Sequence, residues 1–185
     1  MKLLHNIRKP IEISETEIFS EIKKKYGLPD LTEMSVYKES ADCRHGKICK
    51  VYTLAIRTDR DDPDFTDVPE YSFQADVKNK DLRVLIVGMG PSGLFCAKTL
   101  SDFGLNPTII DRGAPVEQRV KDVENLWLAN VLNPESNVQF GEGGAGTFSD
   151  GKLTCRKNDP RSRKILSDFV LYGAPENIEK EALPH

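Results

Sequence analysis

Gly88, Gly90 and Gly93 lie between an apolar run and a helical one, in the segment Val84-Leu85-Ile86-Val87-Gly88-Met89-Gly90-Pro91-Ser92-Gly93. Three glycines alone mean little, because they fall together by chance. Their context supplies the chemistry: a buried strand runs into them and a helix opens from them. In such a turn the first glycine permits the reversal. The second lets backbone approach a diphosphate, and the third lets the helix lie close to its strand. The N–H groups around Pro91, Ser92 and Gly93, at the positive end of the helix dipole, would then face the phosphates. Downstream, Gly104 ends the helix, Thr108-Ile109-Ile110 forms the next strand, and Asp111 stands at its end. An acid about 20 residues beyond the turn accepts hydrogen bonds from ribose hydroxyls.

Two further features bear on which dinucleotide this would be. Arg112 and Arg119 follow the acid, and a guanidinium there can stack on adenine or reach a phosphate; a solvated helix charge accounts equally for Arg119. The segment Phe140-Gly141-Glu142-Gly143-Gly144-Ala145-Gly146-Thr147-Phe148-Ser149-Asp150-Gly151-Lys152 is dense in glycine. Small residues at that density let backbone pass close to a bulky ligand, and their N–H groups can cradle phosphate or flavin oxygens. A simple nicotinamide domain needs no second glycine segment about 50 residues after the first, so this one favours FAD over NAD. A flexible loop is the plainer reading, but the interleaved Phe140, Thr147, Phe148 and Leu153 argue against it.

The elements that would hold these residues divide the chain. Residues 1–57 read as a small β-α-β-β domain. Leu3 to Ile7 forms a strand. Ser14 caps a helix, with Glu17 completing a capping box and Ile13 and Ile18 at the staple positions. Ile18, Ile22 and Tyr26 recur on one face, Gly27 stops the helix and Pro29 lies just beyond. Glu33–Ser40 and Ile48–Arg57 alternate as half-buried strands. Residues 58–81, charged and proline-bearing, read as a linker. From residue 82 to 185 the expectation is the start of a Rossmann-like domain, incomplete, so the whole is of the α/β class. Its strands are Arg83–Val87, covered on both faces, and Pro107–Ile110. Its helices are Pro91–Phe103, Glu117–Val131 with Val120, Val123, Trp127 and Val131 on one side, a helix opened by Asp159-Pro160, and a short one over Pro175–Leu183.

Composition excludes several classes. A net charge of −3 gives no electrostatic case for nucleic acid. No apolar run approaches the ~20 residues of a spanning helix, and the first ten residues break too early for a signal peptide, so the expected location is cytoplasmic. Four scattered cysteines make no disulfide scaffold. Cys43, His45 and Cys49 supply three candidate metal ligands but lack a fourth, and a hairpin turn with packed cysteines explains them more simply.

Residues 83–111 and the stretch QFGEGGAGTFSDGK from Gln139 to Lys152 resemble a family of largely uncharacterised FAD-dependent dehydrogenases, also described as NAD(P)/FAD-dependent oxidoreductases. The run ESADCRHGKICKVYTLAIR resembles the strand–turn–strand of the small α/β domain that family places ahead of its flavin domain. The resemblance implies that FAD lies extended, its adenosine held at Gly88, Gly90, Gly93 and Asp111. Gly141 to Lys152 would approach the isoalloxazine or diphosphate, and NAD(P)H would be the candidate electron donor or acceptor. Asp111 departs from the glutamate more usual in such proteins. Members run to several hundred residues, so the resemblance places a later glycine–aspartate segment, further strands and a substrate domain outside these 185 residues. That missing carboxyl-terminal portion is the expected partner, and the chain alone is expected to be inactive. Asp150 and Lys152 could tune the flavin or form an ordinary ion pair. Two rivals stand: a simple NAD(P)-binding protein, and a non-catalytic binding module built on residues 1–57.

Overall fold

A computed structural model describes residues 1–29, 31–149 and 159–182, and of His45 and Ala182 the backbone alone. The chain forms two compact units, Met1–Ser72 with Lys152–His185, and Phe73–Gly151.

In the first unit β1 (Lys2–Lys9), α1 (Glu15–Tyr26), β2 (Met34–Asp42) and β3 (Cys49–Ile56) follow the order read from the sequence. Local chemistry explains α1. Ser14 Oγ accepts the Glu17 N–H at 3.2 Å while the Glu17 carboxylate accepts the Ser14 N–H at 2.9 Å, so two orphan donors are satisfied. Glu15 and Glu17 in its first turn and Lys23, Lys24 and Lys25 in its last complement the helix dipole. Gly27 terminates it in the left-handed region (φ +60°). Ile18, Ile22 and Tyr26 are buried against Leu4, Val36, Tyr52, Leu54 and Ile56 of the sheet. Each such aliphatic side chain contributes about 1.5–3 kcal/mol on leaving water.

Two short strands extend this sheet beyond the sequence reading. β4 (Phe65–Asp67) lies inside the stretch read as linker and pairs with β1 through Leu3↔Thr66. Its three residues are too few to show alternation, and they form a strand because β1 offers an open edge. At the far end, α4 (Pro160–Leu171) is capped by Asp159, whose carboxylate accepts the Arg161 N–H at 2.9 Å, with Pro160 at its first position. It belongs to the first unit, whereas the sequence reading placed it in the second domain. The helix expected over 175–183 is instead a single 3₁₀ turn, Glu176–Glu179, followed by β7 (Glu181–Ala182). β7 pairs in parallel with β2, and the Glu39 N–H donates to the Lys180 carbonyl at 2.7 Å; the edge of β2 thus supplies partners that a four-residue helix lacks. The sheet order is β4-β1-β3-β2-β7.

The second unit is a β-α-β segment with a helix after it. β5 (Leu85–Val87) and β6 (Thr108–Ile110) pair in parallel, joined through α2 (Pro91–Asp102), and α3 (Val116–Ala129) follows. Covered strands were expected here, yet Leu85, Val87 and Ile110 are 61%, 79% and 47% exposed. By register these three share one face of the two-stranded sheet, opposite the face on which Ile86 packs toward Gly93 of α2, so the exposed side chains are those on the face away from the helix. The stripe on α3 also differs: its buried row is Arg119 and Val123, while Val120, Trp127 and Val131 are exposed and Val131 lies past the helix end. Among the described residues, the second unit buries only Leu105 and Val123 as hydrophobic core. No described helix is long and apolar enough to cross a membrane.

Candidate functional site

The glycine turn sits where the β-α-β segment reverses. Its first residue is anchored by the Gly88 N–H donating to the Ile110 carbonyl at 2.7 Å, with Gly88 at φ +104°. Gly93 is fixed by packing: a Cβ there would overlap the Gly88 carbonyl oxygen, far inside the 3.0 Å that real Cβ atoms keep, and would lie 3.1 Å from Gly88 C. Helix α2 can therefore approach its strand only with glycine at this position.

Asp111 is brought to the mouth of the turn. Its Oδ2 accepts the Met89 N–H at 2.6 Å and its Oδ1 the Gly113 N–H at 2.7 Å. The Met89 hydrogen bond, joined by that from Gly113 and opposed by partial burial, holds the carboxyl below its ordinary range. Its oxygens carry about four acceptor sites, so capacity remains for hydroxyl donors. The start of α2 has no acidic residue in its first turn and no side-chain cap. Pro91 and Ser92 are exposed, and the Ser92 and Gly93 N–H groups have no partner among the described residues. An anion fits here: orphan donors and an uncompensated dipole end meet at a turn with little side chain in the way.

The second glycine segment converges on the first. The Gly143 N–H donates to the Met89 carbonyl at 2.9 Å, and a Cβ on Gly144 would lie 3.2 Å from Gly90 Cα and 3.1 Å from Pro91 Cδ. A Cβ on Gly113 would fall 2.5 Å from Gly141 Cα. Gly113, Gly141 and Gly144 thus admit backbone crossing backbone around the turn. Ala145, Gly146 and Thr147 form the exposed side of a 3₁₀ turn, Gly144–Phe148, and nothing lies within 4 Å of where a Gly146 Cβ would be.

The arginines hold this arrangement. Arg119 is fully buried, not a solvated surface charge. Its guanidinium donates to the carbonyls of Glu142 and Asn137 (3.1 Å to the latter) and to Thr147 Oγ1 at 3.3 Å, and lies over the Phe148 ring at 4.9 Å. It clamps the second segment from inside. Arg112 is exposed, bidentate to Glu135 at 2.6 and 3.1 Å, and 5.2 Å from the Phe140 ring. Glu142, to which the sequence alone assigns no role, accepts the Val116 N–H at 2.8 Å through its carboxylate and so caps α3. The signal was present, since α3 opens at Pro115 without a capping side chain of its own. Asp150, Gly151 and Lys152 lie outside the described residues.

Near the cysteine pair, Arg44–Gly46 makes one 3₁₀ turn, with Cys43 exposed and Cys49 partly so. Among the described residues no group of three or more histidine, cysteine or acidic side chains is placed to hold a metal ion.

No family model matches the chain. It is similar to an uncharacterized protein of Clostridium beijerinckii, 35% identical over 196 aligned positions that take in 98% of this chain and 37% of that protein. The chain therefore spans little more than a third of the length of this relative.

Proposed function

We propose that this chain carries the ADP-binding part of an FAD-dependent oxidoreductase. The observation that carries the reading is the meeting of three features at one point. The turn Gly88–Gly93 delivers unpaired N–H groups, Asp111 stands ionised beside it, and the first turn of α2 has no anion of its own. Ser92 and Gly93 would hold the diphosphate by their N–H groups, and the remaining acceptor sites of Asp111 would take the ribose hydroxyls. When bound, the flavin supplies two-electron hydride transfer; the protein's part is binding, orientation and electrostatics. A longer protein, with the strands that β5 and β6 lack as neighbours, would complete the site.

The rival is a nicotinamide cofactor at the same turn, and one observation favours it. The glycines at 141 and 144, which in the sequence weighed toward FAD, are accounted for by packing, Gly141 on Arg119 and the Ala114 carbonyl and Gly144 on Gly90 and Pro91. Titrating the chain with FAD, ADP and NAD, followed by flavin fluorescence and thermal shift, separates the two. Saturable but weak binding of FAD, with ADP competing, is expected. Preference for NAD would select the rival, and no response to any of the three would remove both.

A further inference from the structure

The face of the first unit's sheet turned away from α1 carries an open, solvent-facing pocket of about 460 Å³, lined by Asn6, Arg8, Ser40, Asp42, Arg44 and Val51 among others. Register explains why these residues meet. Arg8 pairs with Val51 and Val51 with Ser40, so the three form one row across β1, β3 and β2, and Asp42 lies two residues further along β2 on the same face. A bulge between Leu4 and Ile7, with Asn6 at φ +60°, turns the end of β1 so that Arg8 joins this row.

Asp42 is buried at the floor, its side chain 6% exposed, and both oxygens are engaged by arginine. Oδ1 accepts the Arg44 N–H at 3.1 Å and Arg44 Nε at 2.8 Å. Oδ2 accepts Arg44 Nη2 at 2.8 Å and pairs with Arg8 Nη2 at 3.2 Å. The Arg44 guanidinium, with Arg8 behind it, holds the Asp42 carboxyl far below its usual range. One carboxylate thus faces two permanent cations, and a positive charge is left over. The side chains of Arg8 and Arg44 are 57% and 71% exposed, so most of their forked donors remain open at the cavity.

We propose that this cavity is an oxyanion-binding site, in which Arg8 and Arg44, positioned by Asp42, grip the phosphate or carboxylate group of a small molecule. Planar guanidinium donors match such groups in bidentate fashion, and a volume of this size takes a metabolite-sized ligand. The site lies wholly in the first unit and is independent of the dinucleotide reading of the second.

The test titrates the full chain with inorganic phosphate and, separately, with acetate, against chloride at matched ionic strength, following backbone amide resonances. Saturable shifts at Asn6, Arg8, Asp42 and Arg44 are expected with at least one of the two anions, and which one saturates tells which group the site takes. Arg8→Ala should weaken that binding by about tenfold, as expected for loss of one charge-assisted hydrogen bond. Arg8→Lys, which keeps the charge and loses the fork, should fall between. Arg44→Gln serves as a second variant, checked for fold by circular dichroism. Saturation by neither anion, or equal affinity in the wild type and Arg8→Ala, would overturn the proposal.

Discussion

Replacing Gly93 by alanine tests the geometry of the turn most sharply. The added methyl would overlap the Gly88 carbonyl oxygen and sit 3.1 Å from Gly88 C and 3.4 Å from Ile86 Cγ2. Two of these atoms are backbone, so no rotamer change relieves the clash; α2 must lift from β5. Overpacking costs about 1–3 kcal/mol, and a backbone clash belongs at the upper end of that range. Against it stands the better helix propensity of alanine, at most about 1 kcal/mol and less in a first turn. The net loss should be about 1–2 kcal/mol, or a urea midpoint lower by roughly 1 M for a small unit. The assay is built into the sequence. Trp127 is the sole tryptophan and belongs to the second unit, edge-on to Phe148 at 6.1 Å, whereas all five tyrosines fall in the first. Tryptophan fluorescence should report the shift while tyrosine fluorescence does not. An unchanged or raised tryptophan midpoint would refute the close approach of helix and strand.

Four other outcomes follow from the same contacts. Asp111→Ala frees the Met89 and Gly113 N–H groups and removes the proposed ribose acceptor; FAD and ADP binding should weaken at least about tenfold in a fluorescence titration. Arg119→Met takes the guanidinium from the Asn137 carbonyl and leaves the Glu142 carbonyl with Thr147 Oγ1 as its donor; it should lower the stability of the second unit by about 2–3 kcal/mol, read from Trp127 in urea. Ser14→Ala removes the capping box and should cost about 1 kcal/mol, seen as a lower melting temperature of the first unit by circular dichroism. The folded pKa of Asp111 lies below its unfolded value of about 3.9, so its stabilisation is complete above that pH and is lost as pH falls through the folded value. An acid titration of Trp127 fluorescence should show this loss only below about pH 4, with a flatter profile in Asp111→Asn.

What was legible in the sequence was local. The Ser14–Glu17 box and the row Ile18, Ile22 and Tyr26 define α1 by themselves, and Asp159-Pro160 does the same for the start of α4. The turn from Gly88 to Gly93 is likewise contained within one strand and one helix. Less legible was anything decided by a remote partner. Phe65–Asp67 and Glu181–Ala182 are strands only because β1 and β2 have edges to offer, and α4 joins the first unit from beyond the whole of the second. On α3 the spacing of apolar residues pointed to Val120, Val123, Trp127 and Val131 on one side, yet the buried row begins with a charged residue. Arg119 is buried because backbone carbonyls at 137 and 142 come to it, and no pattern along the helix announces them. In the second glycine segment, the need for close approach was readable from composition; that Gly113, Gly90 and Pro91 are what it approaches was not.

The central claim is that the amino end of α2 receives a diphosphate. Adding ADP to the isotopically labelled chain and following the amide resonances of Met89, Gly90, Ser92 and Gly93 measures this directly. The account predicts saturable shifts there and at Asp111, lost in Asp111→Ala. Silence at those amides, with the Trp127 signal of a folded second unit intact, would contradict it.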